Sequence, residues 1–121
     1  MELAAQTMRT VEFQDIGRVS YGDAWDFQTK LFQETVDQKL VNRKEPEHAK
    51  ETTDHFLFVE HPPVFTLGKS GSIDHLLVDE ARLAAEGIEY YPVNRGGDIT
   101  YHGPGQIVGY PIMDLDHYFT D

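Results

Sequence analysis

The sequence predicts an α/β fold of the α+β type, in which a mixed β-sheet is flanked by helices. Strand-like segments follow one another with few helices among them, in the order strand, helix, two strands, helix and three strands. The length of 121 residues suits one domain. Hydrophobic residues make up 40% of the chain and aromatic residues 12%, which argues against global disorder. Two helices cannot cover six strands, so a sheet face without cover is also expected.

The first part of the chain predicts a strand over residues 11–15 and a helix over about residues 21–42. Ser20 suits the N-cap of this helix, with Asp23 three residues further on. The polar segment 43–53, broken by Pro46, predicts an exposed loop. Mostly apolar residues recur at helical spacing and predict a helix face turned to the core. They are Tyr21, Ala24, Trp25, Gln28, Leu31, Phe32, Thr35, Val36 and Leu40.

Two short apolar runs, residues 56–60 and 64–67, predict strands on either side of a stiff corner. Pro62 and Pro63 form this corner, because each proline fixes φ and lacks an N–H donor. His61 is expected to be structural and to hydrogen bond locally. Residues 68–71 follow as a predicted flexible link.

The second part of the chain predicts a short helix between two strands. Asp79 suits the N-cap of a helix through about Glu86, and Gly87 suits its end. The β-branched and aromatic run 88–93 predicts a strand. The apolar run 107–115 predicts a buried strand despite Pro111.

The formal net charge of −11 argues against two classes of partner. Nucleic acids and anionic membrane surfaces both attract basic protein surfaces, so neither is expected here. The sequence contains no cysteine, which excludes a disulfide scaffold, a zinc–thiolate site and a thiol nucleophile within these residues. It also lacks an apolar run of about 20 residues and a secretory signal pattern, so a cytoplasmic protein is expected.

The segment RGGDITYHGPGQ, residues 95–106, is the most informative stretch for function. Its four glycines allow the backbone to approach a ligand closely, and exposed amides can bind a carboxylate, a carbonyl or a phosphate. Arg95 adds a cationic fork, and Thr100 and His102 would share one face of a strand. Two interpretations remain open: the mouth of a site for a small polar head group, or a structural hairpin. The segment matches neither dinucleotide-binding nor phosphate-loop spacing.

Two blocks of the sequence resemble the signature of bacterial octanoyl-acyl carrier protein:protein octanoyltransferases of lipoate biosynthesis. The first is FLFVEHPPVFTLGKSG, residues 56–71, and the second is RGGDITYHGPGQIVGYPIMDL, residues 95–115. Related lipoate and biotin ligases have a glycine segment of different sequence. The resemblance covers nearly the whole chain but only about the N-terminal half of a family member.

The resemblance implies that residues 1–121 form the N-terminal part of a single catalytic domain like that of the biotin and lipoate protein ligases. It also implies a reaction in two steps. The octanoyl group moves from acyl carrier protein to an enzyme cysteine, and then from that cysteine to a lysine of a lipoyl domain. The implied acceptors are lipoyl domains of 2-oxoacid dehydrogenases and the glycine cleavage H protein. No cofactor or metal is expected. The implied substrate-binding residues are Arg95, Gly96, Gly97, Asp98, Ile99, Thr100, Tyr101 and His102.

The family's nucleophilic cysteine and its partner lysine match no residue of this chain, so no catalytic residue is assigned. The resemblance places both beyond Asp121. Three explanations remain open: a fragment of a longer product, a truncated product that no longer catalyses, and one half of a split enzyme. Two other functions also remain open: a non-catalytic module that binds an acyl group or a lipoyl domain, and an ATP-dependent lipoate ligase relative.

Overall fold

The computed structural model describes residues 10–118, which contain six strands and two α-helices. The strands form two three-stranded sheets, in the orders β1-β2-β6 and β4-β3-β5. In the second sheet β3 runs parallel to β4 and antiparallel to β5, which confirms the predicted mixed α+β architecture. The elements are β1 (Val11–Arg18), α1 (Tyr21–Lys44), β2 (Asp54–Glu60), β3 (Val64–Leu67), α2 (Glu80–Ala85), β4 (Glu89–Pro92), β5 (Ile99–His102) and β6 (Val108–Ile112).

The chain divides into two compact units. The described residues of the first unit are 10–16, 22–59 and 108–118. They include most of α1, most of β2 and all of β6. The second unit comprises residues 17–21 and 60–107, and it contains β3, α2, β4 and β5. The glycine-rich segment 95–106 therefore belongs to the second unit.

Most predicted elements are confirmed with shifted ends. The strand β3 has the predicted bounds, β1 and β2 are longer than predicted, and β4 and β6 are shorter. The helix α2 begins after Asp79, whose carboxylate accepts a hydrogen bond from the Arg82 N–H at 2.8 Å, as expected of an N-cap. Pro111 is tolerated in β6 because this strand lies at the edge of its sheet and needs donors on one side only.

The helix α1 is confirmed, but its predicted buried face is only partly correct. Tyr21, Ala24 and Leu31 are buried, whereas Trp25, Phe32 and Leu40 expose 48%, 58% and 45% of their surface. Ala24 and Leu31 are seven residues apart and lie on one stripe of the helix. Trp25 and Phe32 each follow one of them by one residue, so they point about 100° away around the helix axis. The buried stripe is therefore narrower than predicted.

Apolar side chains outside α1 are also exposed, as the predicted lack of sheet cover implies. Phe13 on β1 is 58% exposed although its ring contacts Phe58 on β2 at a centroid distance of 4.9 Å. Leu77 is 97% exposed. Within the described residues, no helix combines the length and the apolar character that crossing a membrane requires.

A buried carboxylate, that of Asp54, anchors the chain that follows β6. Asp54 accepts hydrogen bonds from the backbone N–H of Asp114 at 2.8 Å, from Nδ1 of His117 at 3.0 Å and from the hydroxyl of Tyr118 at 2.7 Å. Burial alone would raise the pKa of Asp54, but these three hydrogen bonds outweigh it and lower the pKa below its ordinary value. The start of β2 is thereby tied to the turn over Leu115–His117.

A second carboxylate, that of Asp114, joins this anchor to α1 and to the segment before β2. It accepts hydrogen bonds from the Lys39 ammonium at 3.0 Å and from the Thr52 hydroxyl at 2.6 Å. The segment 43–53, predicted as an exposed loop, includes a short 3₁₀ turn at Pro46–His48 and is held at its end by Thr52. Polar contacts therefore organise this end of the first unit.

The substitution Asp54→Asn is expected to lower the free energy of unfolding by about 2 kcal/mol at neutral pH, because an amide group cannot accept from all three donors. The lowered pKa means that this stabilisation is present above the unfolded pKa and is lost as the pH falls through the folded value. Urea unfolding at pH 7 and at pH 3 measures both effects. Asp26→Asn, at an exposed position of α1, is the control, and equal losses in the two variants would contradict the assignment.

Candidate substrate-binding site

The antiparallel pairing of β5 with β3 divides the predicted site residues between two faces of the second sheet. Thr100 lies opposite Thr66, and His102 lies opposite Val64. Paired residues of neighbouring strands point to the same side, so these four share one face. Ile99 and Tyr101 lie on the other face, where Tyr101 contacts the ring of Phe65 at 5.1 Å. The predicted sharing of a face by Thr100 and His102 is confirmed.

The His102 face carries a cluster of aromatic and imidazole rings. The ring centroids of His102 and His61 are 6.1 Å apart, and His61 lies 5.4 Å from Tyr21. Tyr21 also contacts Tyr91 of β4 at 5.3 Å. Tyr91 lies opposite Thr66 in the parallel register. The face thus combines an apolar lining with several groups that form hydrogen bonds, as is typical of small-ligand sites.

His61 is completely buried, and its Nδ1 lies 2.7 Å from the carbonyl oxygen of Val19. A carbonyl oxygen only accepts, so Nδ1 carries a proton, and in the neutral ring Nε2 holds the lone pair. The expected local hydrogen bond of His61 is therefore confirmed. The same bond orients the ring toward Tyr21 and His102, a placement that the proline corner alone did not predict.

Arg95 uses its guanidinium group to hold the protein backbone. Its Nη2 donates to the carbonyl oxygens of Thr66 and Asp98, both at 2.8 Å, and to the Thr66 hydroxyl at 2.8 Å. Its Nη1 donates to the carbonyl oxygen of Gly96 at 2.7 Å. Within residues 10–118 no carboxylate pairs with this cation. The expected cationic fork is present, and its donors are mainly used to fix the loop before β5.

The predicted flexible link, residues 68–71, is instead bonded to the glycine segment. The amides of Gly68, Lys69 and Ser70 donate to the carbonyl oxygens of Asp98, Arg95 and Gly97 at 2.8 to 3.1 Å. A side chain at Gly68 would collide with the backbone oxygens of Gly97 and Gly96. The glycine at position 68 therefore serves close backbone packing, which explains why the expectation of a flexible link was wrong.

Gly96 and Gly97 have exposed backbones in the loop between β4 and β5. Their carbonyl oxygens accept hydrogen bonds from Arg95 and Ser70. Across the part of the chain that the structure describes, their N–H groups donate to no protein acceptor. Two successive free amides beside an unpaired cation suit an anion or a polarised carbonyl oxygen.

Asp98 holds the loop that follows β3. One carboxylate oxygen accepts from the Ser72 N–H at 3.3 Å, and the other pairs with Nδ1 of His75. The backbone carbonyl of Asp98 is also engaged, by the Gly68 N–H and by Arg95. Asp98 therefore supports the loop, and the side chains of Ile99 and Tyr101 belong to the opposite face of the sheet.

The electrostatic environment favours the uncharged forms of His102 and Tyr21. Burial lowers the pKa of His102 below 6.5, and the nearby His61 and Arg95 lower it further, against an opposing hydrogen bond to Gln106. Burial raises the pKa of the Tyr21 hydroxyl, although Arg95 acts in the other direction. A neutral imidazole can accept or donate a hydrogen bond without introducing a charge.

The sequence pattern does not indicate Tyr21, Thr66 and Tyr91 as site residues. It places Tyr21 on the predicted core stripe of the first helix and Thr66 within a short apolar run. The alternation of β3 contained the signal, because Val64 and Thr66 are both fully buried on one face. A hydroxyl at such a position requires a partner, and the structure supplies Arg95.

Possible metal ligands occur in the first unit. Among the residues that the structure describes, the group close enough to hold an ion is Glu45, Glu47 and His48, and all three are exposed. Exposed acidic groups of this kind are common without an ion.

Comparison with known proteins relates this chain to one family. The lipoyl protein ligase A/B catalytic domain matches residues 20–121. The octanoyltransferase of Flavobacterium psychrophilum is 56% identical over 113 residues, which are 93% of this chain and 48% of that protein. The octanoyltransferase of Cytophaga hutchinsonii is 54% identical over 116 residues, with 95% and 48% covered. The chain therefore spans about half the length of the curated relatives it matches.

A solved structure supports the same fold. The crystal structure of P. falciparum LipL1 in complex with lipoate has a TM-score of 0.51 with this chain at 12% sequence identity. The match covers 81% of this chain and 29% of that chain. At this identity the similarity concerns the fold alone.

The substitution Arg95→Lys is expected to lower the free energy of unfolding by about 2 kcal/mol, because a single ammonium group cannot reproduce the planar set of donors. The loop should also open, so the Gly68 amide should exchange with solvent faster. Urea unfolding and hydrogen exchange measure the two effects. Arg82→Lys, on the exposed surface of α2, is the matched control. Unchanged Gly68 exchange in Arg95→Lys would contradict the assigned role.

Proposed function

The chain belongs to the lipoyl protein ligase A/B catalytic domain family, and on this premise we propose that the full-length protein is an octanoyltransferase of lipoate biosynthesis. Residues 1–121 would form the N-terminal part of its single catalytic domain. The protein would take an octanoyl group from octanoyl-acyl carrier protein and transfer it to a lysine of a lipoyl domain. Its relatives named octanoyltransferase support this proposal.

The observation that carries the proposal is the pair of free amides at Gly96 and Gly97, in one segment with the neutral His102. Attack on a thioester places negative charge on the carbonyl oxygen, and preorganised N–H donors stabilise that charge. Arg95 adds a positive charge at the same loop without being neutralised by a carboxylate among the described residues. The substrate-binding role of residues 95–102 thus has a physical basis.

The proposed reaction has two acyl-transfer steps. A thiolate attacks the thioester carbonyl, the pantetheine thiol leaves, and an octanoyl-enzyme forms; the lysine amine of the acceptor then displaces the enzyme thiol. This chain contains no cysteine, so the nucleophile must come from another part of the protein. A neighbouring cation would lower the pKa of that thiol and increase its thiolate fraction. Residues 95–102 bind and orient the acyl group in this scheme.

The proposed acceptors are the lipoyl domains of 2-oxoacid dehydrogenases and the glycine cleavage H protein, and the proposed location is the cytoplasm. The reaction needs neither a cofactor nor a metal, because the thioester already activates the acyl group. Burial of the eight-carbon chain would contribute about 0.8 kcal/mol per CH₂ group. An ATP-dependent ligase would instead have to activate a free acid.

A non-catalytic acyl-binding module is the second candidate function, favoured by the absence of cysteine from these residues. An open groove of about 320 Å³ in the first unit supplies apolar surface for such a module. Its lining includes Phe32, Val36, Ile112, Met113 and Leu115. The presence of a cysteine and a lysine in the coding sequence after Asp121 would distinguish the enzyme from this module.

The substitution His102→Ala in the full-length protein is expected to slow octanoyl-enzyme formation, because it removes a hydrogen-bonding group from the proposed thioester site. Mass spectrometry after mixing with octanoyl-acyl carrier protein measures the rate at which the octanoyl adduct appears. His48→Ala, in the exposed turn Pro46–His48, serves as the control.

An unchanged rate of adduct formation would return His102 to a structural role. Failure of the unsubstituted full-length protein to form any adduct would contradict the octanoyltransferase proposal. Transfer from free octanoate that depends on added ATP would support the ligase alternative instead.

A further inference from the structure

The carboxylate of Glu60 binds two groups that come from distant parts of the sequence. Its Oε1 accepts from Arg18, at 2.9 Å from Nε and 2.8 Å from Nη2. Its Oε2 accepts from the backbone N–H of Gly105 at 3.0 Å. The side chain is 24% exposed, against 59% for Arg18, so Glu60 is the more enclosed partner. One carboxylate therefore connects the end of β1 to the turn after β5.

The backbone around Glu60 is fixed as well. Its carbonyl oxygen accepts from the Val19 N–H at 2.9 Å, and the next residue, His61, bonds to the Val19 carbonyl through Nδ1. Two hydrogen bonds thus join the backbone at Val19 to Glu60 and His61, at the start of the proline corner. The position of the Glu60 carboxylate follows from this arrangement and does not depend on the exposed ion pair alone.

The turn that Glu60 holds lies directly after His102. Gly105 adopts a φ of 93°, a left-handed conformation that favours glycine, and its N–H points to the carboxylate. The Gln106 N–H donates to the Gly103 carbonyl at 3.1 Å and closes the turn. His102 directly precedes this turn in the chain, so the turn fixes the backbone from which the imidazole extends. A connected path therefore leads from Glu60 through the turn to His102.

The contact with Gly105 is the stronger part of this arrangement. A surface ion pair contributes little, since solvent screens it and its side chains lose entropy. A hydrogen bond from an amide to an ionised carboxylate is shorter and stronger than a neutral one. The Gly105 N–H and Arg18 both lower the pKa of Glu60, with the amide as the larger cause, so the carboxylate is charged at neutral pH.

We propose that Glu60 is a positioning residue for the acyl-transfer site: it fixes the turn at residues 103–105 and thereby the enclosure and orientation of His102. This inference rests on the proposed function for its effect on transfer. Its structural part, the link from Glu60 to His102, stands independently of the substrate. Glu60 acts through the turn and does not touch the reacting atoms.

The substitution Glu60→Ala in the full-length protein tests this inference by a titration and a rate. Release of the turn exposes His102 to water, so its pKa rises toward 6.5, because burial is the largest cause of the lowering. Proton NMR of the His102 ring measures that titration, and hydrogen exchange measures the Gly105 amide, which should exchange faster. The kcat for octanoyl transfer should fall about tenfold, and the acid limb of the pH–rate profile should move to higher pH.

Two further variants separate positioning from a general loss of stability. Glu60→Gln keeps the side-chain length and one acceptor oxygen. In this variant the Gly105 amide should exchange nearly as slowly as in the unsubstituted protein, and the pKa of His102 should stay close to its unsubstituted value. Glu86→Ala removes an exposed carboxylate that pairs with Arg82 on α2 at 3.5 Å, and it should change neither readout. If Glu60→Ala does not fold, the Gln variant is expected to show a smaller shift of His102 in the same direction.

An unchanged His102 titration in folded Glu60→Ala, or in Glu60→Gln if the alanine variant does not fold, would overturn the proposal. Equal shifts in Glu60→Ala and Glu86→Ala would overturn it too, because they would report a nonspecific effect of charge. If the unsubstituted protein transfers no octanoyl group while the NMR shifts appear, the proposed function fails and the positioning role of Glu60 stands.

Discussion

The side chain of Arg95 closes the loop before β5 by donating to oxygens of Thr66, Gly96 and Asp98. These bonds fix the glycine segment against β3, and the amides of the segment after β3 add a second set. The loop can therefore leave the N–H groups of Gly96 and Gly97 directed away from the protein without losing its shape. A flexible glycine loop would have to be ordered by the ligand, and that ordering would reduce the binding free energy.

A second constraint operates at the other end of β5. His61 is oriented by the Val19 carbonyl, and Glu60 holds the turn beyond His102. The two histidines thus approach each other from β5 and from the proline corner. Burial, with His61 and Arg95 nearby, lowers the pKa of His102. The loop before β5, with its free amides, is suited to a thioester, which is uncharged until it is attacked.

The sequence predicted local features well and long-range polar contacts poorly. The proline corner predicted the start of β3, and Asp79 predicted the start of α2. In both cases the residues that give the signal directly precede the element. The link between Lys39 and Asp114 joins residues 75 positions apart, and that between Glu60 and Gly105 joins residues 45 apart. No periodicity signals such pairs. Helical spacing also could not show that Phe32 would remain exposed, since the width of the buried stripe depends on what packs against the helix.

We propose that the loop and strand at residues 95–102 form the wall that holds the thioester. A crystal structure of the full-length protein with an octanoyl-pantetheine analogue, in which a methylene group replaces the thioester sulfur and the carbonyl is kept, would test this proposal. We expect the carbonyl oxygen of the octanoyl group to lie within hydrogen-bonding distance of the Gly96 or Gly97 N–H. Binding of the octanoyl group elsewhere, with both glycine amides facing solvent, would contradict the proposal.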